Sequence, residues 1–276
     1  MDAYRECAAI VRERDPDRYL SDLFSVEESR HHLFALHAFN AEVARVRDVI
    51  SEPMPGEIRL QWWRDVLSGG EGGGHPVANV LNQTIKALAL PLAAFDNLLK
   101  ARIFDLYNDP MPSLNDLEGY AGETSSVLIQ LGALTLAGGH DEGTADVAGH
   151  AGVAYALAGL MRALPLHASR GQMYLPRDMM AAFGVVAEDV FAGRPTPALQ
   201  ALLVELRSIA RRHLEPALTG MRKIDPRILP AFLPVLLVEP RLKLMDRKNY
   251  NPFATPAELW PWRRQWILWS GVRRGR

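Results

Sequence analysis

The chain has one cysteine, Cys7, in 276 residues. A single thiol excludes an internal disulfide framework and fits a reducing compartment. Cys7 is expected to be a small buried hydrophobe rather than a nucleophile. Net charge is also missing. The 31 Lys and Arg against 32 Asp and Glu leave −1 at pH 7, which argues against a nucleic-acid binder. No apolar run reads as a membrane span. Ile228–Val238 is short and holds Pro230 and Pro234, and the stretch 151–176 is interrupted by Arg162, Pro165 and His167. The opening MDAYRECAAIVRERDPD is charged from the start, so no secretory signal is expected. No segment sustains the alternation of a strand. There is no internal repeat, and no H-x-x-x-H or C-x-x-C spacing to mark a transition-metal site.

What is present is helical. Hydrophobic residues make up 48% and charged residues 23%, enough for a sizeable core, and no composition shift divides residues 1–276. Tyr4–Arg14 reads as a helix, with Asp15-Pro16-Asp17 capping the next segment. Ser25 is the expected N-cap of a long helix whose stripe Leu33, Leu36, Phe39, Val43, Val46 and Ile50 keeps spacings of three and four. Pro53 and Pro55 end it. Further helices are expected over Glu57–Leu67, Val77–Ala89, Leu92–Tyr107, Ser113–Leu136, Pro195–Met221 and Pro226–Met245, and from near Pro256 to the end. The Gly-rich run 68–76 follows a helix and lacks G-K-[ST], so it reads as a linker and not a phosphate cradle. Ala151–Pro176 is the organising stretch, apolar all round and rich in Ala, Gly and Leu, as the central helix of an all-helical globule would be.

Several side chains invite chemistry. Asp48 and Glu52, at i and i+4, could hold one cation weakly. The competing expectation is an intrahelical charge ladder of Glu42, Arg45, Asp48 and Glu52, at about 0.2–0.5 kcal/mol per pair. Arg162 in an apolar helix requires a carboxylate or an anion, and Asp48 is the expected partner. His167 could ligate a transition metal or act as an acid; a structural hydrogen-bonding role competes. Arg59-Leu60-Gln61-Trp62-Trp63-Arg64 suits core packing or a partner contact. The segment Trp260–Arg276 combines Trp260, Trp262, Trp266 and Trp269 with Arg263, Arg264, Arg273, Arg274 and Arg276. It reads as a last core helix with a basic tail, or as a membrane-surface contact.

Two windows resemble the signatures of squalene and phytoene synthases. Phe34-Ala35-Leu36-His37-Ala38-Phe39 is similar to the L-Y-A-F stretch that precedes that family's D-D-x-x-D motif, and the motif window here is Ala44-Arg45-Val46-Arg47-Asp48. Arg162, Gly171, Tyr174, Leu175 and Pro176 are placed as in the second signature, R-D-x-x-x-D followed by G-R-x-Y-L-P. Ala163 and His167 stand at its aspartates. Tyr120 and Arg241–Pro252 extend the resemblance over nearly the whole chain. The resemblance implies an all-α, isoprenoid-synthase-like helical bundle around a central cavity, with Tyr174 lining it and Arg45, Tyr120, Arg162 and His167 as further ligand-binding candidates. Of the four principal aspartates only Asp48 is present, so the resemblance also implies loss of head-to-head prenyl condensation. No cofactor is expected, and Mg²⁺ only if catalysis persists, with Asp48 and Glu52 as its candidates. Ala38-Phe39-Asn40, Glu42, Asp48, Arg59–Trp63, Arg162-Ala163, His167 and Ser169-Arg170 resemble the branch of the family that acts in respiratory complex I assembly.

Three functions stay open. The first is a non-catalytic, membrane-peripheral assembly or scaffold protein whose partners are complex I assembly intermediates. The second is an atypical prenyltransferase acting on prenyl diphosphates. The third is a carrier of an isoprenoid or lipid. The expected location is a bacterial cytoplasm or a mitochondrial-matrix-like compartment, peripheral to the inner membrane.

Overall fold

The computed structural model describes every residue except Met1, Ser51, Glu71, Gly275 and Arg276, and omits the side chains of Asp2 and Arg274. Among the described residues there are helices and no strand. The N-terminal half contains α1 (Asp2–Arg14), α2 (Pro16–Asp22), α3 (Glu27–Ala44), α4 (Pro53–Leu67), α5 (Pro76–Leu88), α6 (Leu92–Ala101), α7 (Leu114–Ala121) and α8 (Val127–Leu136). The C-terminal half contains α9 (Ala145–Ser169), α10 (Arg177–Phe183), α11 (Ala187–Phe191), α12 (Pro197–Met221), α13 (Val238–Met245) and α14 (Pro261–Arg274). Short polar side chains start several of them. Asp15 accepts from the Arg18 N–H, Ser113 from Asp116 and Thr196 from Leu199, each satisfying a donor that the first helical turn leaves free.

Five expected boundaries move, each for a local reason. The long helix does not reach Ile50. It stops at Ala44, a 3₁₀ turn covers Val46–Val49, and Ile50 and Glu52 are extended. Pro53 disfavours helical geometry at Glu52, so Asp48 and Glu52 do not share a helix face. Ser25 is not the N-cap. Its hydroxyl donates to the Asp22 carbonyl at 2.6 Å and closes the end of α2, while Val26 precedes α3 with no side-chain cap. The stretch 226–245 is a 3₁₀ run over Leu229–Leu237 before α13, because Pro230 and Pro234 remove two helix donors. The last helix starts at Pro261, later than expected. Finally, Arg162, Pro165 and His167 do not interrupt α9, which runs unbroken through all three for 25 residues. That makes α9 long and apolar enough to cross a membrane by composition, yet half of its most apolar window is buried inside the protein.

Two hydrophobic cores meet along α8. Leu128 and Leu131 face the first core, where Phe39 lies 5.0 Å from Trp63 and 5.7 Å from Phe95 between ring centroids. Ile129 and Ala133 face the second, built from α9, α12 and residues 229–245. A π-helical turn at Gly122–Ser126 joins α7 to α8 in one rod and packs against α9. The approach is close enough that a Cβ on Gly152 would lie 2.3 Å from the Ser126 Cα, so only glycine fits there.

Candidate functional site

A cleft of about 240 Å³ opens between α2, α3, the π turn and α9. Tyr155, Gly159, Ala163 and His167 form its α9 wall, because a spacing of four keeps side chains on one helix face. The π turn presents Thr124 and Ser125 opposite, and Arg18, Asn40, Arg102, Tyr120 and Arg162 complete the lining. Widened turns of this kind re-aim side chains within a helix.

The best-ordered chemistry surrounds a residue that the sequence did not single out. Asp105 is 7% exposed and sits at the end of a 3₁₀ turn, Arg102–Leu106. The hydroxyls of Tyr120 and Tyr174 each donate to its Oδ1 at 2.7 Å. Arg102 donates to its Oδ2 at 3.0 Å and to the Tyr120 hydroxyl at 2.9 Å. Burial pushes both phenols above their ordinary range, and the Asp105 carboxylate adds to the effect. The His167 ring lies 4.5 Å from that of Tyr174 and makes no side-chain hydrogen bond among the described residues, so its role here is packing. Burial, reinforced by Arg170, pushes its pKa down to about 4, so the imidazole is neutral at physiological pH. Asp105 carries no motif spacing; its one sequence signal is an arginine three residues before it.

A second polar layer lies under α2. Arg18 donates to Asp15 at 2.6 Å and stands 5.0 Å over the Tyr155 ring. Asp22 is fully buried and meets the His37 Nδ1 at 2.8 Å. Burial pushes the Asp22 carboxyl upward, and His37 partly offsets the shift. Asn40 lines the cleft at 8% exposure, with its Oδ1 buried and without a hydrogen-bond partner among the described residues.

The structure gathers only part of the candidate set. Tyr120, Arg162, Ala163 and His167 line the cleft, and Tyr174 lies behind His167. Ala44, Arg45, Asp48 and Glu52 do not line it. Arg162 does not meet Asp48; it donates to Glu258 at 2.7 Å, and Asp48 is engaged by Arg170. The expected charge ladder is absent too. Glu42 pairs across helices with Arg14 at 2.5 Å and Arg59 at 3.6 Å, and α3 ends at Ala44, before Arg45, Asp48 and Glu52 could continue a ladder along it.

The aromatic clusters divide. Trp63 is fully buried in the first core, and Trp62 packs 5.4 Å from the His75 ring. The C-terminal tryptophans are exposed instead: Trp260 at 71%, Trp262 at 67%, Trp266 at 61% and Trp269 at 38%. Among the described residues of α14 only Leu268 is fully buried. The helix is pinned by Arg264, which reaches Asp17 at 3.2 Å, while Arg241 takes the other Asp17 oxygen at 2.5 Å. Of the basic tail, Arg276 and the Arg274 side chain lie outside the described residues.

An all-α bundle with a polar cleft against its central helix is the architecture of an isoprenoid synthase. The squalene/phytoene synthase profile matches residues 11–270, and the chain belongs to that family. A dehydrosqualene synthase structure superposes with a TM-score of 0.83, covering 98% of this chain and 95% of that one at 18% identity, which speaks for the fold alone. Among sequence relatives, the Bos taurus and Homo sapiens proteins named NADH dehydrogenase (ubiquinone) complex I, assembly factor 6 are 31% and 30% identical, each over 90% of this chain and 75% of their own length. Phytoene synthase of Thermus thermophilus is 26% identical over 94% of this chain and 89% of its own.

Proposed function

We propose that this chain is a non-catalytic member of its family that acts in the assembly of respiratory complex I. The observation that carries the reading is the cleft wall. Where the family resemblance expects carboxylates on α9, Ala163 and His167 face the space, and the remaining candidate, Asp48, is paired with Arg170 outside it. Mg²⁺ requires several oxygen ligands in octahedral order. A methyl group offers none, and imidazole suits softer cations, so these residues do not fit the ion. The charged groups that do line the cleft are arginines, Arg18, Arg102 and Arg162. Space argues the same way. About 240 Å³ falls below the roughly 300–1,000 Å³ of ligand-holding pockets. Behind His167 and Tyr174 lies a void of only about 20 Å³, walled by Leu117, Leu157, Leu160 and Leu164, too small for a prenyl chain. The names of the relatives at 30–31% identity supply the direction of the proposal. An assembly role for a membrane complex places the chain at a membrane surface, as a peripheral protein.

The test has two arms. Purified protein given farnesyl or geranylgeranyl diphosphate with Mg²⁺ or Mn²⁺ is expected to form no squalene, phytoene or related product. Turnover that is lost in Asp48→Ala would establish an atypical prenyltransferase instead. Installing Ala44→Asp, Ala163→Asp and His167→Asp together is expected to recover diphosphate binding at most. In cells, an affinity-tagged copy is expected to recover complex I intermediates, and deletion of the gene to lower assembled complex I. Normal complex I in the deletion strain would remove the assembly role.

A further inference from the structure

On the other side of α2 from the cleft lies a larger and chemically opposite space. Leu20, Leu23 and Phe24 from the end of α2 face Trp262, Gln265, Trp266, Leu268 and Trp269 of α14 across a groove of about 740 Å³. Gln265 is the only polar lining residue among those described, beside the indole N–H groups. We infer that this groove and its tryptophan rim are the surface by which the chain seats on an anionic bilayer, with lipid tail entering between α2 and α14. The inference rests on the peripheral placement proposed above and adds the surface and its chemistry.

Three observations commit the groove to lipid. First, the rim is aromatic and ordered. Trp262, Trp266 and Trp269 stand at i, i+4 and i+7, and the last two rings are 5.1 Å apart, so one face of α14 carries three indoles. Indole combines an apolar body with an N–H that stays at headgroup level. Second, the charge is of one sign. Over Pro261–Arg274 the sequence holds Arg263, Arg264, Arg273 and Arg274 and no acid. Arg264 is spent on Asp17, but Arg273 stands 4.4 Å over the Trp269 ring, a cation beside the apolar rim. That complements phosphate headgroups, although the whole chain has a charge of only −1. Third, the helix is held while its outer face is left open. Leu268 and the Arg264–Asp17 pair anchor α14, and Trp262 and Trp266 remain 67% and 61% exposed. An amphipathic helix in the plane of a membrane interface presents this division of faces.

The experiment floats the purified full-length chain with vesicles of phosphatidylcholine, with and without phosphatidylglycerol. Flotation is expected only with phosphatidylglycerol and is expected to weaken as salt rises. Replacing Trp262, Trp266 and Trp269 by alanine together is expected to lower vesicle affinity by about tenfold or more, and Arg273→Gln by about fivefold. Ile58→Ser, at an exposed apolar site on α4, is expected to leave binding unchanged. Should the triple variant fail to fold, the wild type answers alone: acyl chains brominated near the headgroup are expected to quench its tryptophan fluorescence. No flotation, unchanged flotation of the folded triple variant, or no quenching would overturn the inference. So would a wild type that self-associates through these tryptophans without touching vesicles, which would assign the groove to a second copy. No complex I is present in the assay, so vesicle binding without any effect of deletion on complex I removes the assembly role and leaves this surface standing.

Discussion

The inner cleft and the outer groove share α2 and differ in every other respect. Arg18 faces the cleft; Leu20, two residues on and half a helical turn around, faces the groove. Around the cleft, polar groups meet one another: Asp105 takes two phenols and the Arg102 guanidinium, and Asp15 takes Arg18. In the groove the walls are hydrocarbon and indole, and charge is confined to a cationic margin. Most of the polar groups around the cleft satisfy one another, which stabilises the fold, while the Asn40 Oδ1 has no hydrogen-bond partner among the described residues. A groove lined by unpartnered indoles remains to be covered. Both regions belong to the family fold, since the match over residues 11–270 takes in most of α14 as well, and the groove is the surface proposed to meet the bilayer.

The largest expected effect comes from breaking the cleft. Asp105→Ala strips Arg102 and two buried hydroxyls of their common acceptor and is expected to cost about 3–5 kcal/mol of unfolding free energy. Equilibrium denaturation measures it. A loss below about 1 kcal/mol, the range of exposed pairs, would show that Asp105 is solvated. Asp17→Ala tests the link between the two regions. It leaves Arg241, only 3% exposed, without a carboxylate and frees Arg264, with an expected cost of about 3 kcal/mol. Hydrogen exchange is expected to quicken in α14 and not in α9.

Acid is expected to act on the protein through two partly buried histidines. His167 and His32 are held at about 4 in the fold, against 6.5 in the free side chain. As pH falls from 6.5 toward 4, the unfolded chain binds protons that the folded chain does not, so stability declines through that window. His167→Phe is expected to flatten the slope of denaturation midpoint against pH over that window, and an unchanged slope would place the ring in solvent. The smallest effect belongs to Arg170→Ala. The Arg170–Asp48 pair is more than a third exposed on the arginine side, and its loss is expected to change stability by less than about 1 kcal/mol.

The elements were legible wherever the signal was local. The stripe of α3, the proline stop near Pro53, the cap at Asp15 and the small-residue character of α9 all follow from neighbours a few positions apart. Two misread boundaries lay where proline acts at a distance of one or two residues, at Glu52 and across Leu229–Leu237, and at Ser25 the hydroxyl turned back to the preceding helix. Of the residues singled out by the family signatures, Tyr120, Arg162, Ala163 and His167 line the cleft and Tyr174 lies behind His167, because their order along α7, α9 and the turn after α9 is part of the fold. The signatures were silent on Asp105, whose donors Arg102, Tyr120 and Tyr174 come from three separate segments.

By itself the sequence decided that the chain is helical, that α9 is its central rod, and that oxygen ligands are missing at positions 44, 163 and 167. These are properties of residue type and of periods shorter than five residues, which need no partner. Tertiary structure alone decided that Asp48 meets Arg170 and Arg162 meets Glu258, across 122 and 96 residues. It alone decided that three α14 indoles face a groove floored by α2. Such pairings depend on where whole helices come to rest against two cores, and a side chain's partner is set by that packing rather than by its neighbours in the chain.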